Sequence, residues 1–222
     1  MTRKGKVKRM KKIIKHWKFT AMLLMFLGVV TAGCSNTDKT SETEEAPPAV
    51  VYPVSIDGSE ILIGETTVKT LLDKGLKITV SEMTPDKQIN HYEIDPETEL
   101  EANSYYSGGS IWITDSSFAH ISMVTDENNV KMGEAVIAYL EFSLSSQDKT
   151  GLDNLLFNGV PVTEISREKA GEMFPDFTGD ENMWFSPASM TDYEYFMSFD
   201  MDGMLNKFSL KKKYDVDWNS KS

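Results

Sequence analysis

The sequence predicts an α+β chain in which short helices pack on antiparallel sheets, arranged as two small lobes behind a disordered tether. Three observations predict it. Apolar residues recur mostly on a period of two, in runs bounded by Gly, Asn, Asp and Pro, which is the pattern of antiparallel strands covered on one face. Only two segments carry a helical period, both short and both preceded by a hydroxyl side chain placed to cap them. The order hairpin, helix, meander occurs on each side of a polar break at residues 147–151.

Residues 1–18 hold nine Lys or Arg and no Asp or Glu, a charge block that membrane potential and anionic lipids keep on the cytoplasmic side. The next twelve residues, 19–30, carry no charge. As a helix they reach ~18 Å, short of a ~30 Å hydrocarbon core, so they predict a signal-peptide apolar region and not a permanent span. Small residues Thr31, Ala32 and Gly33 then lead into Cys34, the single cysteine of the chain. This stretch resembles the bacterial lipobox, with Thr31 where Leu is commonest. The resemblance implies cleavage between Gly33 and Cys34, a diacylglycerol on the Cys34 thiol, and attachment to the extracytoplasmic face of the cell membrane. Two acyl chains at ~0.8 kcal/mol per buried CH₂ hold far more firmly than one.

All thirty-four acidic residues and fourteen of the twenty-three basic ones follow Gly33, which leaves the mature chain at −20. Such a surface repels phosphate backbones, so nucleic acid is disfavoured as a partner. With Cys34 committed to lipid, no internal disulfide forms, and stability has to come from a packed core. Residues 34–50 comprise the lipidated cysteine and a flexible tether, in which the Ser, Thr, Glu and Pro tract of residues 35–49 lacks apolar periodicity and spans at most ~50 Å.

The first lobe is expected over residues 51–146. Asp57-Gly58 turns a hairpin that sets Ile61 and Ile63 on one face. Thr66 or Thr67 caps a helix bearing Val68, Leu71 and Leu72, and Gly75 supplies its left-handed end. Strands are expected at 89–94, 100–106, 110–114, 118–125 and 134–144, with Gly108-Gly109 as a turn between two of them and 126–129 as another. The second lobe is expected over 152–222. Asn158-Gly159 marks a turn, Ser166 caps a helix bearing Ala170, Met173 and Phe174, and Pro175 ends it. An irregular acidic stretch follows, then strands at 192–199 and 205–210 around a hairpin loop with Gly203. Laying Glu65-Thr66-Thr67 over Glu164-Ile165-Ser166 places helix on helix.

The stretches Gly64 to Gly75, Ile165 to Phe174 and Phe199 to Gly203 resemble a family of uncharacterised Gram-positive lipoproteins. The second lobe is also distantly similar to the helix-plus-meander modules of the BamE and β-lactamase-inhibitor-protein type. These resemblances imply a fold and an address, and they carry over no catalytic residue.

Candidate chemistry is sparse. His91 and His120 lie in strands without a metal-binding spacing, no G-x-S-x-G turn or free thiol offers a nucleophile, and the Asp200-x-Asp202-Gly203 and 176–181 segments are incomplete calcium patterns. No metal, cofactor or catalytic residue is assigned. On strand 193–199, Tyr193, Tyr195, Met197 and Phe199 share one face, expected to be buried, while Glu194, Phe196 and Ser198 share the other. Trp112, Trp184 and Phe196 are the candidate partner-binding residues. The expectation is a lipid-anchored binding or interaction module for an unidentified protein or envelope polymer; the alternative is a cell-envelope hydrolase using a carboxylate pair.

Overall fold

The computed structural model describes residues 51–146, 149–187, 192–216 and 218. The expected signal peptide (1–33), the Gly33–Cys34 cleavage point with its lipid, and the tether (34–50) lie outside the described residues.

Local chemistry explains each element. Strands β1 (Val54–Ile56) and β2 (Ser59–Ile61) are closed by Asp57 and Gly58, at φ 49° and 74°, the pair of left-handed residues a two-residue hairpin requires. Helix α1 (Val68–Asp73) starts where the Thr67 side chain accepts from the Thr70 amide at 3.2 Å; it buries Val68 and Leu71. Then come β3 (Lys77–Met83), β4 (Ile89–Glu93), β5 (Glu99–Leu100), β6 (Tyr105–Trp112), β7 (Phe118–Val124), β8 (Val130–Lys131) and β9 (Val136–Ser143). The second half opens with β10 (Leu155–Phe157) and β11 (Val160–Pro161), turned by Asn158 and Gly159. Helix α2 (Arg167–Met173) is capped by the Ser166 hydroxyl, which accepts from Lys169 N at 3.2 Å. Strands β12 (Thr178–Gly179), β13 (Met183–Phe185), β14 (Tyr193–Phe199) and β15 (Leu205–Lys212) complete the order.

Antiparallel sheet dominates, with 46% of the described residues in strands against 15% helical. Nine strands form one sheet in the order β12-β13-β14-β15-β9-β7-β6-β3-β4, and four form another in the order β11-β10-β1-β2. Residues 51–146 and 152–222, expected as separate lobes, are therefore joined by two ladders, β9 with β15 and β1 with β10. A single core lies between the layers. Phe157 of the small sheet stacks on Phe208 of the large one at 5.0 Å and 8°, and on Phe174 at the end of α2 at 5.0 Å. The inner row Gly109, Ile121, Leu140, Leu210, Tyr195 runs strand to strand across the large sheet, with Ile121 to Tyr195 each at most 2% exposed.

The two halves repeat at the level of single hydrogen bonds. In the first, Val68 N donates to Ala135 O at 3.0 Å and Ile137 N to Thr66 O at 2.9 Å; in the second, Arg167 N donates to Gly203 O at 2.7 Å and Leu205 N to Ile165 O at 2.8 Å. The ladder between β7 and β9 slips at Ser122/Met123, and that between β14 and β15 slips at Ser198/Phe199. Thr79 lies opposite Ser110, as Thr178 lies opposite Phe185. The superposition of Glu65-Thr66-Thr67 on Glu164-Ile165-Ser166 is the one these bonds define.

Three strand expectations are corrected. Gly108-Gly109 is not a turn between strands; both lie inside β6, where Gly108 at φ 90° forms a bulge against β7 and an added Gly109 side chain would meet Ile121 Cγ1 at 2.8 Å. The strand expected at 100–106 is divided by Asn103 at φ 50°, a left-handed residue that ends one strand before the next begins. The irregular acidic stretch contains β12 and β13, two strands too short to show alternation in sequence.

Candidate functional site, the outer face of the large sheet

The inner face of the nine-stranded sheet is spent on the core, so its other face is the broadest surface available for contact. Register defines that face residue by residue. Directly opposed positions share a face in an antiparallel sheet, and one unbroken row runs Thr178, Phe185, Phe196, Ser209, Glu141, His120, Ser110, Thr79, Glu93 across all nine strands. A second row beside it carries Lys77, Trp112 and Phe118.

Aromatic side chains gather at two places along these rows. On the first half, Trp112 and Phe118 sit 5.0 Å apart, His91 lies edge-on to Trp112 at 5.6 Å, and His120 packs edge-on to Phe118 at 5.0 Å. Trp112 is fixed by its indole N–H, which donates to Thr79 Oγ1 at 2.9 Å, and His91 Nδ1 meets Ser81 Oγ at 3.0 Å. On the second half, Phe185 and Phe196 lie 5.2 Å apart, and Phe185 is half exposed.

Between the patches lies a polar band on β9 and β15. Tyr139 donates to Glu141 Oε2 at 2.5 Å, and Lys207 Nζ sits 2.8 Å from the same oxygen. Burial pushes the Glu141 carboxyl up, but the Lys207 ammonium and the Tyr139 hydroxyl more than offset that and hold it below the usual carboxylate range. Burial and the neighbouring Glu141 drive the Tyr139 phenol well above its ordinary value. Beyond the band, Lys213 pairs with Glu194 at 3.6 Å. An open groove of about 520 Å³ runs here, lined by Tyr139, Phe185, Glu194, Phe196, Lys211 and Lys213.

Of the three aromatic candidates, Trp112 and Phe196 lie on this face, four strand spacings apart or ~19 Å. Trp184 does not. It opposes Met197 in a core-facing row, packs edge-on against Phe199 at 5.2 Å, and donates its indole N–H to Asp180 O at 3.0 Å. Its neighbour Phe185 takes the outer position, because one step along a strand reverses the face. Among the described residues no group of three or more His, Cys, Asp or Glu is arranged to hold a metal ion. The two partial calcium patterns are occupied by turn hydrogen bonds: Asp180 Oδ1 accepts from Asn182 N and Met183 N, and Asp200 Oδ1 from Asp202 N and Met204 N. No described helix is long and apolar enough to cross a membrane. Comparison with protein families, with curated proteins and with solved structures gives no match.

Proposed function

We propose that the chain is a lipid-anchored binding or interaction module, held on the extracytoplasmic face of the cell membrane by a diacylglycerol on Cys34 and presenting the outer sheet face to a protein or envelope polymer. One observation carries the binding part. The face holds two solvent-reached aromatic patches, Trp112 with Phe118 and Phe185 with Phe196, whose nearest members Phe118 and Phe196 stand three strand spacings apart across a polar band in which Glu141 pairs with Lys207, with the Glu194–Lys213 pair at its border. Aromatics of this kind supply contact area at small entropic cost, and paired charges can be covered with a smaller desolvation penalty than lone ones. The helix-plus-meander halves supply a rigid support for both patches. The anchor rests on the basic leader and the Thr31 to Cys34 motif, and the charge of −20 holds the body off an anionic lipid surface within a Debye length of ~8 Å.

Two measurements test this. Intact mass of membrane-extracted protein is expected to show a chain beginning at Cys34 and carrying lipid; another start, or an unlipidated Cys34, removes the anchor. Retention of solubilised envelope components on the immobilised protein is expected to fall in a Trp112→Ala/Phe196→Ala double variant of unchanged thermal stability, and equal retention removes the outer-face reading.

A further inference from the structure

A second contact surface lies at the edge of the large sheet. Edge strands present unpaired backbone groups, and folded proteins ordinarily blunt them. Here β12, at one end of the order, is two residues long, and β11, an edge of the small sheet, contains Pro161. Strand β4, at the other end of the large sheet, has five residues, no proline and no lysine, and every one of its side chains is exposed. It is flanked by exposed Met83 and begins with exposed Ile89.

The ladder fixes which backbone groups are available. Thr84 N donates to Gln88 O at 2.8 Å, and Ile94 N donates to Ile78 O at 3.1 Å, so Gln88 and Ile94 turn their backbone toward β3. The alternation of an antiparallel pair then turns Asn90 and Tyr92 the same way and aims the N–H and C=O of Ile89, His91 and Glu93 away from the sheet. These six groups, on alternate residues, are the recognition pattern for one added extended chain.

We propose that β4 accepts an extended, basic peptide segment of a partner protein as a tenth strand of the sheet. Charge selects the occupant. Residues 82–95 carry four carboxylates, Glu82, Asp86, Glu93 and Asp95, against Lys87 alone, and none of the four forms an ion pair among the described residues. Pairing β4 with β4 of a second copy would bring a second patch with the same excess of carboxylates beside the first, whereas a segment bearing Lys or Arg meets that patch with opposite charge. Strand addition supplies affinity through main-chain bonds and leaves alternate side chains to set preference. This edge adjoins the Trp112 patch, against which the His91 ring packs, but its recognition groups are the outward backbone N–H and C=O of β4, so loss of binding at the aromatic rings leaves it standing.

The test uses the full-length chain in detergent and a fluorescent eight-residue probe of alternating Val and Lys with blocked ends, titrated by anisotropy. Three results are expected together. Binding saturates and weakens with added salt; the same peptide with every amide N-methylated binds at least about tenfold more weakly, since its charge is kept but its donors are gone. Ile89→Pro, which removes an outward N–H and no ladder bond to β3, causes a similar loss, while Ile89→Thr retains affinity within about twofold. Equal binding of the N-methylated peptide would show charge attraction alone and overturn the proposal. So would absence of saturable binding, or a dimer in sedimentation that Ile89→Pro dissociates, which would make a second copy the occupant. The N-methyl comparison decides even if Ile89→Pro fails to fold.

Discussion

Phe157→Ala is expected to loosen both halves of the molecule at once. The ring is fully buried and sandwiched between Phe174 and Phe208, each 5.0 Å away, and its backbone pairs with Val54 of the first half. Truncation leaves a cavity walled by rings from two different layers, α2 and β15, neither of which can move in without dragging its own backbone. The cost belongs in the range for deep Phe→Ala changes, about 3–5 kcal/mol. At 1.4 kcal/mol per factor of ten, amides that exchange only through global opening should exchange about a hundred- to several-thousand-fold faster. Hydrogen exchange followed by mass spectrometry reads this separately for β6–β7 and for β14–β15. Both regions are expected to accelerate by the same factor, because β9 and β15 share a ladder. Acceleration confined to β14–β15, with β6–β7 still protected, would mean that the halves open independently and would refute the reasoning.

The remaining expectations concern single contacts. Glu141 has a folded pKa below its unfolded one, so its contribution is present above about pH 4 and is lost as pH falls through the folded value; the urea-measured advantage of wild type over Glu141→Gln should shrink in that window. Tyr139 is shifted the other way, so its contribution is complete below about pH 10 and fades as pH rises through its folded value, and Tyr139→Phe should flatten the alkaline limb of the stability profile. Ser110 Oγ is buried without a partner among the described residues, and Ser110→Ala should raise stability by up to about 1 kcal/mol in urea denaturation. Gly109→Ala places a methyl 2.8 Å from Ile121 Cγ1 and should cost about 1–3 kcal/mol by the same measurement. Thr67→Ala and Ser166→Ala remove equivalent caps and should each cost about 1 kcal/mol.

What could be read in the sequence was local. Alternation along residues 193–199 places Tyr193, Tyr195, Met197 and Phe199 inward, and all four are at most 6% exposed. Asp57-Gly58 and Asn158-Gly159 specify their turns because few other pairs tolerate two left-handed residues. Strand order is a different matter. The pairing of β9 with β15 joins residues some seventy positions apart, and nothing in either strand's own pattern names its neighbour. The outer face suffered for the same reason. Phe118 and His120 are visible as one strand face, but their meeting with His91 and Trp112 depends on which strands stand side by side. Trp184 was misplaced by one step, since a three-residue strand gives no period by which to tell it from Phe185. The polar band was hidden because Tyr139, Glu141 and Lys207 belong to different halves.

Strand β1 has ladders on both sides, to β2 and to β10, and it is the first strand among the described residues. A mechanical load applied to the chain ahead of Val51 and directed along β1 would therefore act on both ladders in shear. Their bonds would have to fail together, unlike those of a hairpin peeled from its open end, which break one at a time. The Tyr52 amide, which donates to the Tyr195 hydroxyl at 3.0 Å, stands in front of these ladders and would be strained first, passing force directly into β14 of the large sheet. A body loaded along β1 in this way resists through its second half as much as through its first.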